Sequence, residues 1–191
     1  MTPLSARTMA QYNRWMNERL YDLCDRLTDQ ERKRDVGAFF GSIHGTLNHL
    51  LLGDKIWLGR FLGEPFAVTS LAHELHSDFE QLRSERSRTD EKIVDWAGSL
   101  TSADLAGGLS YTSVVNPKPR RYPMWFAVAH FFNHQAHHRG QLTTLLSQRG
   151  VDPGITDLIW LPDLHPERAS EPPSDHAGNA AARDSAGHGE T

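Results

Sequence analysis

Cysteine is almost missing from this chain of 191 residues: the one example is Cys24. That excludes an internal disulfide framework and every cysteine-rich zinc module, and it fits a reducing compartment. No apolar run approaches the 18 or so residues of a membrane span. The opening stretch MTPLSARTMAQYNRW lacks the charged, apolar and cleavage regions of a secretion signal, so the expected location is cytoplasmic. Glu-x-x-His occurs nowhere, which removes the di-iron carboxylate bundles. Excess basic charge is lacking too, with 20 Lys and Arg against 24 Asp and Glu and a net charge of −4. The one dense run of arginine, 83–92, alternates with acidic residues. No nucleic-acid partner and no membrane partner are expected. Residues 166–191 contain no Val, Ile, Leu, Met, Phe, Trp, Tyr or Cys. Such a segment cannot offset its ordering entropy by burial and is expected to be a disordered tail. Residues 1–165 then form one domain with a net charge near neutral.

Helical periodicity fills most of that domain. Tyr12, Trp15, Met16, Leu20, Leu23 and Leu27 mark a first helix over about 3–28, with Pro3 in its first turn. Thr28 and Glu31 read as a capping box for a short turn. A second helix is expected over about 40–62, ended by Gly63 and Pro65, and a third over about 71–100. Gly107-Gly108 and Pro117-Lys118-Pro119 punctuate a 22-residue connection. Leu109–Val115 and Arg120–Tyr122 can pair there as a small β-hairpin. A fourth helix follows over 123–149. The fold class is all-α, a four-helix bundle with a long crossover connection, for which this last connection leaves room.

What the chain has in abundance is histidine, 11 in all, four of them within nine residues: His130, His134, His137 and His138. On a helix, His134 and His138 share one face and can grip one metal ion. His130 extends the row but lies roughly 12 Å along the axis from His138, too far to join the same ion. His134 with His137 is an alternative pair. A third ligand must come from another element. His49 on the second helix is the best candidate, flanked one turn away by Gly45 and Gly53, which leave room beside its ring; His44 is its rival. Three neutral imidazoles would leave a coordination position open, as in a catalytic rather than a closed structural site. A divalent ion, zinc or nickel, suits such ligands.

The stretch Asn133-His134-Gln135-Ala136-His137-His138-Arg139-Gly140-Gln141 resembles the NHxxHHRGQ signature of the DinB family, a family of bacterial four-helix-bundle proteins. Leu47–Trp57 resembles its NHLLxxDxxW segment, and Gln11–Asn17 its first helix. The similarity covers 1–165. It implies a metal triad of His49, His134 and His138, a bundle with a long crossover, and often a homodimer. It also implies a small-molecule substrate, with thiol S-transferases or isomerases using low-molecular-weight thiols among the relatives. Activation of water for hydrolysis is the other chemistry such a site offers. A non-catalytic metal- or ligand-binding stress-response protein is the alternative. Asn48 and Asn133 precede ligands in parallel and could orient them or bond across helices; Gln141 could line the site or cap a backbone group. Asp54 is expected to pair with Arg60 or Arg139; Arg139 could hold an anionic group, although an ion pair is the simpler expectation. Trp57, Trp125 and Phe131 are expected in the core, as is Cys24.

Overall fold

The computed structural model describes residues 1–68, 70–113 and 117–164. Up to Thr156 these form one compact unit. Its long helices are α1 (Pro3–Asp25), α3 (Ile43–Leu62), α4 (Phe79–Ser99) and α6 (Met124–Ser147). Single turns α2 (Asp29–Lys33) and α5 (Ser102–Ala106) and a two-stranded hairpin fill the connections. The helix ends follow local chemistry. Thr2 and Ser5 form a capping box ahead of Pro3, and Thr28 and Glu31 form the expected one ahead of α2. Ser42 caps α3, which stops at Gly63 in a left-handed conformation with φ of 74°. Strands β1 (Gly108–Thr112) and β2 (Pro119–Pro123) pair antiparallel, with Leu109 opposite Tyr122. The expected hairpin is therefore present, although Val115 lies outside the described residues. The expected tail, 166–191, also lies outside them. Beyond Thr156 the described chain makes two 3-10 turns, Leu158–Trp160 and Pro162–Leu164.

The main helix contacts form a ring, α1 to α4 to α3 to α6 and back to α1. Two apolar clusters occupy its interior. One joins the C-terminal halves of α1 and α6 (Leu20, Leu142) to the N-terminal halves of α3 and α4 (Leu47, Leu82). The other joins the opposite halves, through Ala10, Leu58, Ile93 and Phe131. Helices α1 and α6 therefore run one way, and α3 and α4 the other.

Parallel neighbours need a connection that returns along the bundle. That connection is the strap between α3 and α4, residues 63–78. Its described part passes back beside α3, with the Leu71 carbonyl reaching His49 and the His76 carbonyl reaching His44 and Asn48. This corrects the expected third helix: residues 71–78 are not helical, and α4 starts after the Asp78 cap. Side chains of α3 satisfy the strap's backbone. The Asn48 oxygen accepts from the amides of Leu75 and His76, at 2.8 and 3.0 Å, which competes with helix formation there. The crossover is therefore this strap and not the last connection, where the sequence leaves room for it: α4 and α6 are antiparallel, and their connection holds α5 and the hairpin.

Between the two apolar clusters lies a polar layer to which all four long helices contribute. Arg86 on α4 is 3% exposed and donates to Asp54 on α3 at 2.6 Å and to Asp90 at 2.8 and 3.0 Å. Asn13 and Asn17 on α1 donate to Asp90, and Gln135 on α6 donates to Asp54 at 2.7 Å. Arg139 donates to Asn13 and lies over the Tyr12 ring. Asp54 therefore pairs with Arg86 rather than with Arg60 or Arg139. Arg139 is buried in this layer, bonded to an amide instead of a carboxylate. The run 83–92 reads as a solvated face of which some borders a polar cavity, and Arg86, Thr89 and Asp90 of it face inward. Phe131 and Cys24 are fully buried as expected, but Trp125 is 46% exposed.

Replacing Arg86 with Leu should leave two carboxylates buried without a counter-charge. The expected loss is about 3–5 kcal/mol of stability. Urea unfolding of the variant checks this, and a loss below about 1 kcal/mol would contradict the layer's stabilising role.

Candidate metal centre

Helices α3 and α6 bring His49, His134 and His138 together. One ring nitrogen from each lies within 4.8 Å of the others. The i,i+4 spacing on α6 places Nε2 of His134 3.1 Å from Nε2 of His138. Two nitrogens on metal bonds of about 2.05 Å at a tetrahedral angle stand roughly 3.3 Å apart, so the donor set fits a single ion. Gly53 explains how α6 comes so close: a Cβ there would stand 3.1 Å from Cε1 of His134. Gly45 serves another purpose. A side chain on it would run into the Phe40 carbonyl, so the open space expected beside the His49 ring is filled by the 39–41 loop on one side and by His134 on the other.

Hydrogen bonds set the tautomers of two rings. Nδ1 of His49 donates to the Leu71 carbonyl at 3.1 Å. Nδ1 of His138 donates to Oε1 of Gln141 at 2.8 Å. In each ring the hydrogen is held on Nδ1, which leaves the Nε2 lone pair available for a metal ion; that of His138 faces Nε2 of His134. Burial lowers the pKa of all three histidines. For His134, burial and then its histidine neighbours push it down to about 3. Neutral imidazole is the form that ligates.

The other candidates sort plainly. His44 is buried and engaged with the strap through Nε2, at 2.9 Å from the His76 carbonyl. His130 packs on Trp57. His137 is exposed and meets Gln141. Asn133 is exposed, whereas Asn48 is buried and fastens the strap. Gln141 is bonded to His138, and Arg139 is bonded to Asn13 in the polar layer. Two contributors escape sequence reasoning: the Leu71 carbonyl on the strap, and Phe40, whose ring stacks on His49 with centroids 3.7 Å apart. Neither belongs to a periodic pattern. Among the described residues no other group of three His, Cys, Asp or Glu side chains could share an ion.

A cavity of about 1060 Å³ opens beside the cluster, with His49 and His138 in its wall. Cys24 is no part of it: the thiol is buried, and burial pushes its pKa up to about 12.

A helical bundle whose polar layer backs three convergent imidazoles defines a class of candidate metal-binding proteins. In the sequence comparisons the model of the DinB family matches residues 2–172, and the chain belongs to that family. It is 24% identical over 160 residues to "Protein DinB" of Bacillus subtilis (strain 168), an alignment covering 77% of this chain and 87% of that protein.

Two substitutions probe the site. Gln141→Ala removes the acceptor that orients His138 and should weaken zinc affinity about 10–100-fold; competition against a chromophoric chelator measures it. Gly53→Ala should weaken zinc affinity by crowding His134. The metal-free helix should keep its stability or gain up to about 1 kcal/mol, because alanine is the better helix former. Unchanged affinity in both variants would contradict the geometry described.

Proposed function

We propose that this protein is a metal-dependent enzyme in which His49, His134 and His138 hold one divalent ion, zinc or nickel, and a low-molecular-weight thiol is activated for transfer to an electrophile. The observation that carries this reading is the convergence of three neutral imidazoles, two of them in the wall of a large cavity. A bound divalent ion supplies Lewis acidity, which favours the deprotonated form of a thiol or water at neutral pH. With only three protein ligands, a position remains for that molecule.

The chain's own residues supply binding and orientation. Leu71 and Gln141 hold hydrogens on Nδ1 of two ligand rings, so Nε2 stays available. The Phe40 ring covers one face of His49 and keeps water from it. The polar layer lies beside the ligands, since Gln135 sits between His134 and His138 in sequence and anchors α6 to Asp54. Cys24 stays protonated and enclosed, so a reacting sulfur must arrive with a cosubstrate. The cavity's one carboxylate, Glu74, is exposed and lies 3.4 Å from Nε2 of His44. Hydrolysis through an activated water is the second chemistry the same three ligands would support, and a thiol screen separates the two.

Untagged protein should contain about one metal ion per chain by elemental analysis. His49→Ala should lose it while keeping its helical circular dichroism. A metal-free, helical wild-type protein that takes up neither zinc nor nickel on titration would overturn this function. Metal uptake without turnover of any thiol and electrophile pair would reduce it to binding.

A further inference from the structure

The polar groups in the wall of the 1060 Å³ cavity are nearly all committed to the protein itself. Lys33 pairs with Asp29 at 2.8 Å. Glu74 faces His44, whose Nε2 also reaches the His76 carbonyl. The Asn48 amide is spent on the backbone of His44, Leu75 and His76. The hydroxyl oxygens of Ser42 and Ser70 accept from the amides of Gly45 and Ala72. Outside this set stand Nδ1 of His44, buried with no partner, and the exposed His73.

What remains for a ligand is mainly apolar. Phe39 is 87% exposed at the rim, and Leu71 is 39% exposed. The Phe39 ring meets the edge of Phe40 at 4.8 Å between centroids, and Phe40 stacks on His49. An aromatic path therefore leads from solvent to a ligand ring of the candidate metal centre. The volume suits a drug-sized molecule, larger than a minimal thiol requires. A bare phenylalanine at the lip of such a cavity is stabilised by covering it with an apolar group.

We infer that the cavity selects small molecules whose body beyond the metal-binding atom is uncharged and apolar, of aromatic or alkyl-chain size, with Phe39, Phe40 and Leu71 as the specificity-determining contacts. This rests on the proposed metal-dependent function and adds the class of substrate. Lys33 is engaged by Asp29 and Glu74 lies against His44, and both are solvent-exposed, where an ion pair to a charged ligand is worth little. Burial of an alkyl or aryl group against the phenylalanines supplies the discrimination.

The test uses the full chain loaded with cobalt(II), whose visible spectrum reports thiol binding. Ethanethiol, butanethiol, hexanethiol and benzyl mercaptan are compared with cysteamine and 2-mercaptoethanesulfonate. Affinity should rise about three- to fourfold per methylene from ethanethiol to hexanethiol, and the charged thiols should bind more weakly than uncharged ones of equal length. Phe39→Ser should flatten the series while leaving cobalt content unchanged. A flat series in the wild type, or charged thiols binding best, would overturn the inference and leave the metal function standing. So would a flat series in a protein that light scattering shows to be a dimer broken by Phe39→Ser, since a second copy would then occupy the rim. If the chain takes up no metal, the function fails, but the cavity is tested separately. Titration of the metal-free chain with benzyl alcohol should shift the amide resonances of Phe39, Gly41 and Leu71, and no shift there would overturn the inference.

Discussion

One guanidinium, Arg86, serves two buried carboxylates, and the bundle is arranged around that constraint. Asp54 and Asp90 come from α3 and α4, and each carboxylate also accepts from amides on α6 or α1. A misplaced helix would leave one of these groups buried without a partner, at a cost that apolar packing does not impose. Alanine and leucine faces can slide against one another; this layer cannot. It therefore fixes the level at which four helices meet.

That level also governs the candidate metal centre. Gln135 reaches Asp54 from the same helix that carries His134 and His138, while Asp54 lies five residues beyond His49 on α3. Registration of α3 against α6 through Gln135 and Asp54 is thus registration of the three imidazoles. Gly53, beside Asp54, lets the approach happen at the required distance. The polar layer and the histidine cluster are adjacent parts of one α3–α6 contact, the first setting position and the second presenting lone pairs.

The strap performs a different task. Because α3 and α4 run parallel, the chain must return along the bundle, and it does so over the N-terminal half of α3. Asn48 and His44 tie it down, and its Leu71 carbonyl orients His49. A topological requirement thereby furnishes one wall of a cavity and part of a ligand's support.

Much of this was legible from residues alone. The apolar periodicity located four long helices, Gly63 located the end of one of them, the Thr28–Glu31 box located the short α2, and the i,i+4 spacing put His134 and His138 on one face. These are local properties, decided by backbone geometry within a few residues, and the sequence determines them without reference to distant contacts. His49 was preferred to His44 through a family likeness and two neighbouring glycines, although the glycines accommodate Phe40 and His134 instead of empty space. Residues 71–78 read as helix because Leu75 and Phe79 fit the period; tertiary hydrogen bonds from Asn48 overrode that preference. The partners of Asp54, the inward turn of Arg86 and the commitment of the cavity's charges were decided only in three dimensions. A charged side chain carries no sign in sequence of whether it will meet water or a counter-charge. That choice belongs to whichever helix packs against it.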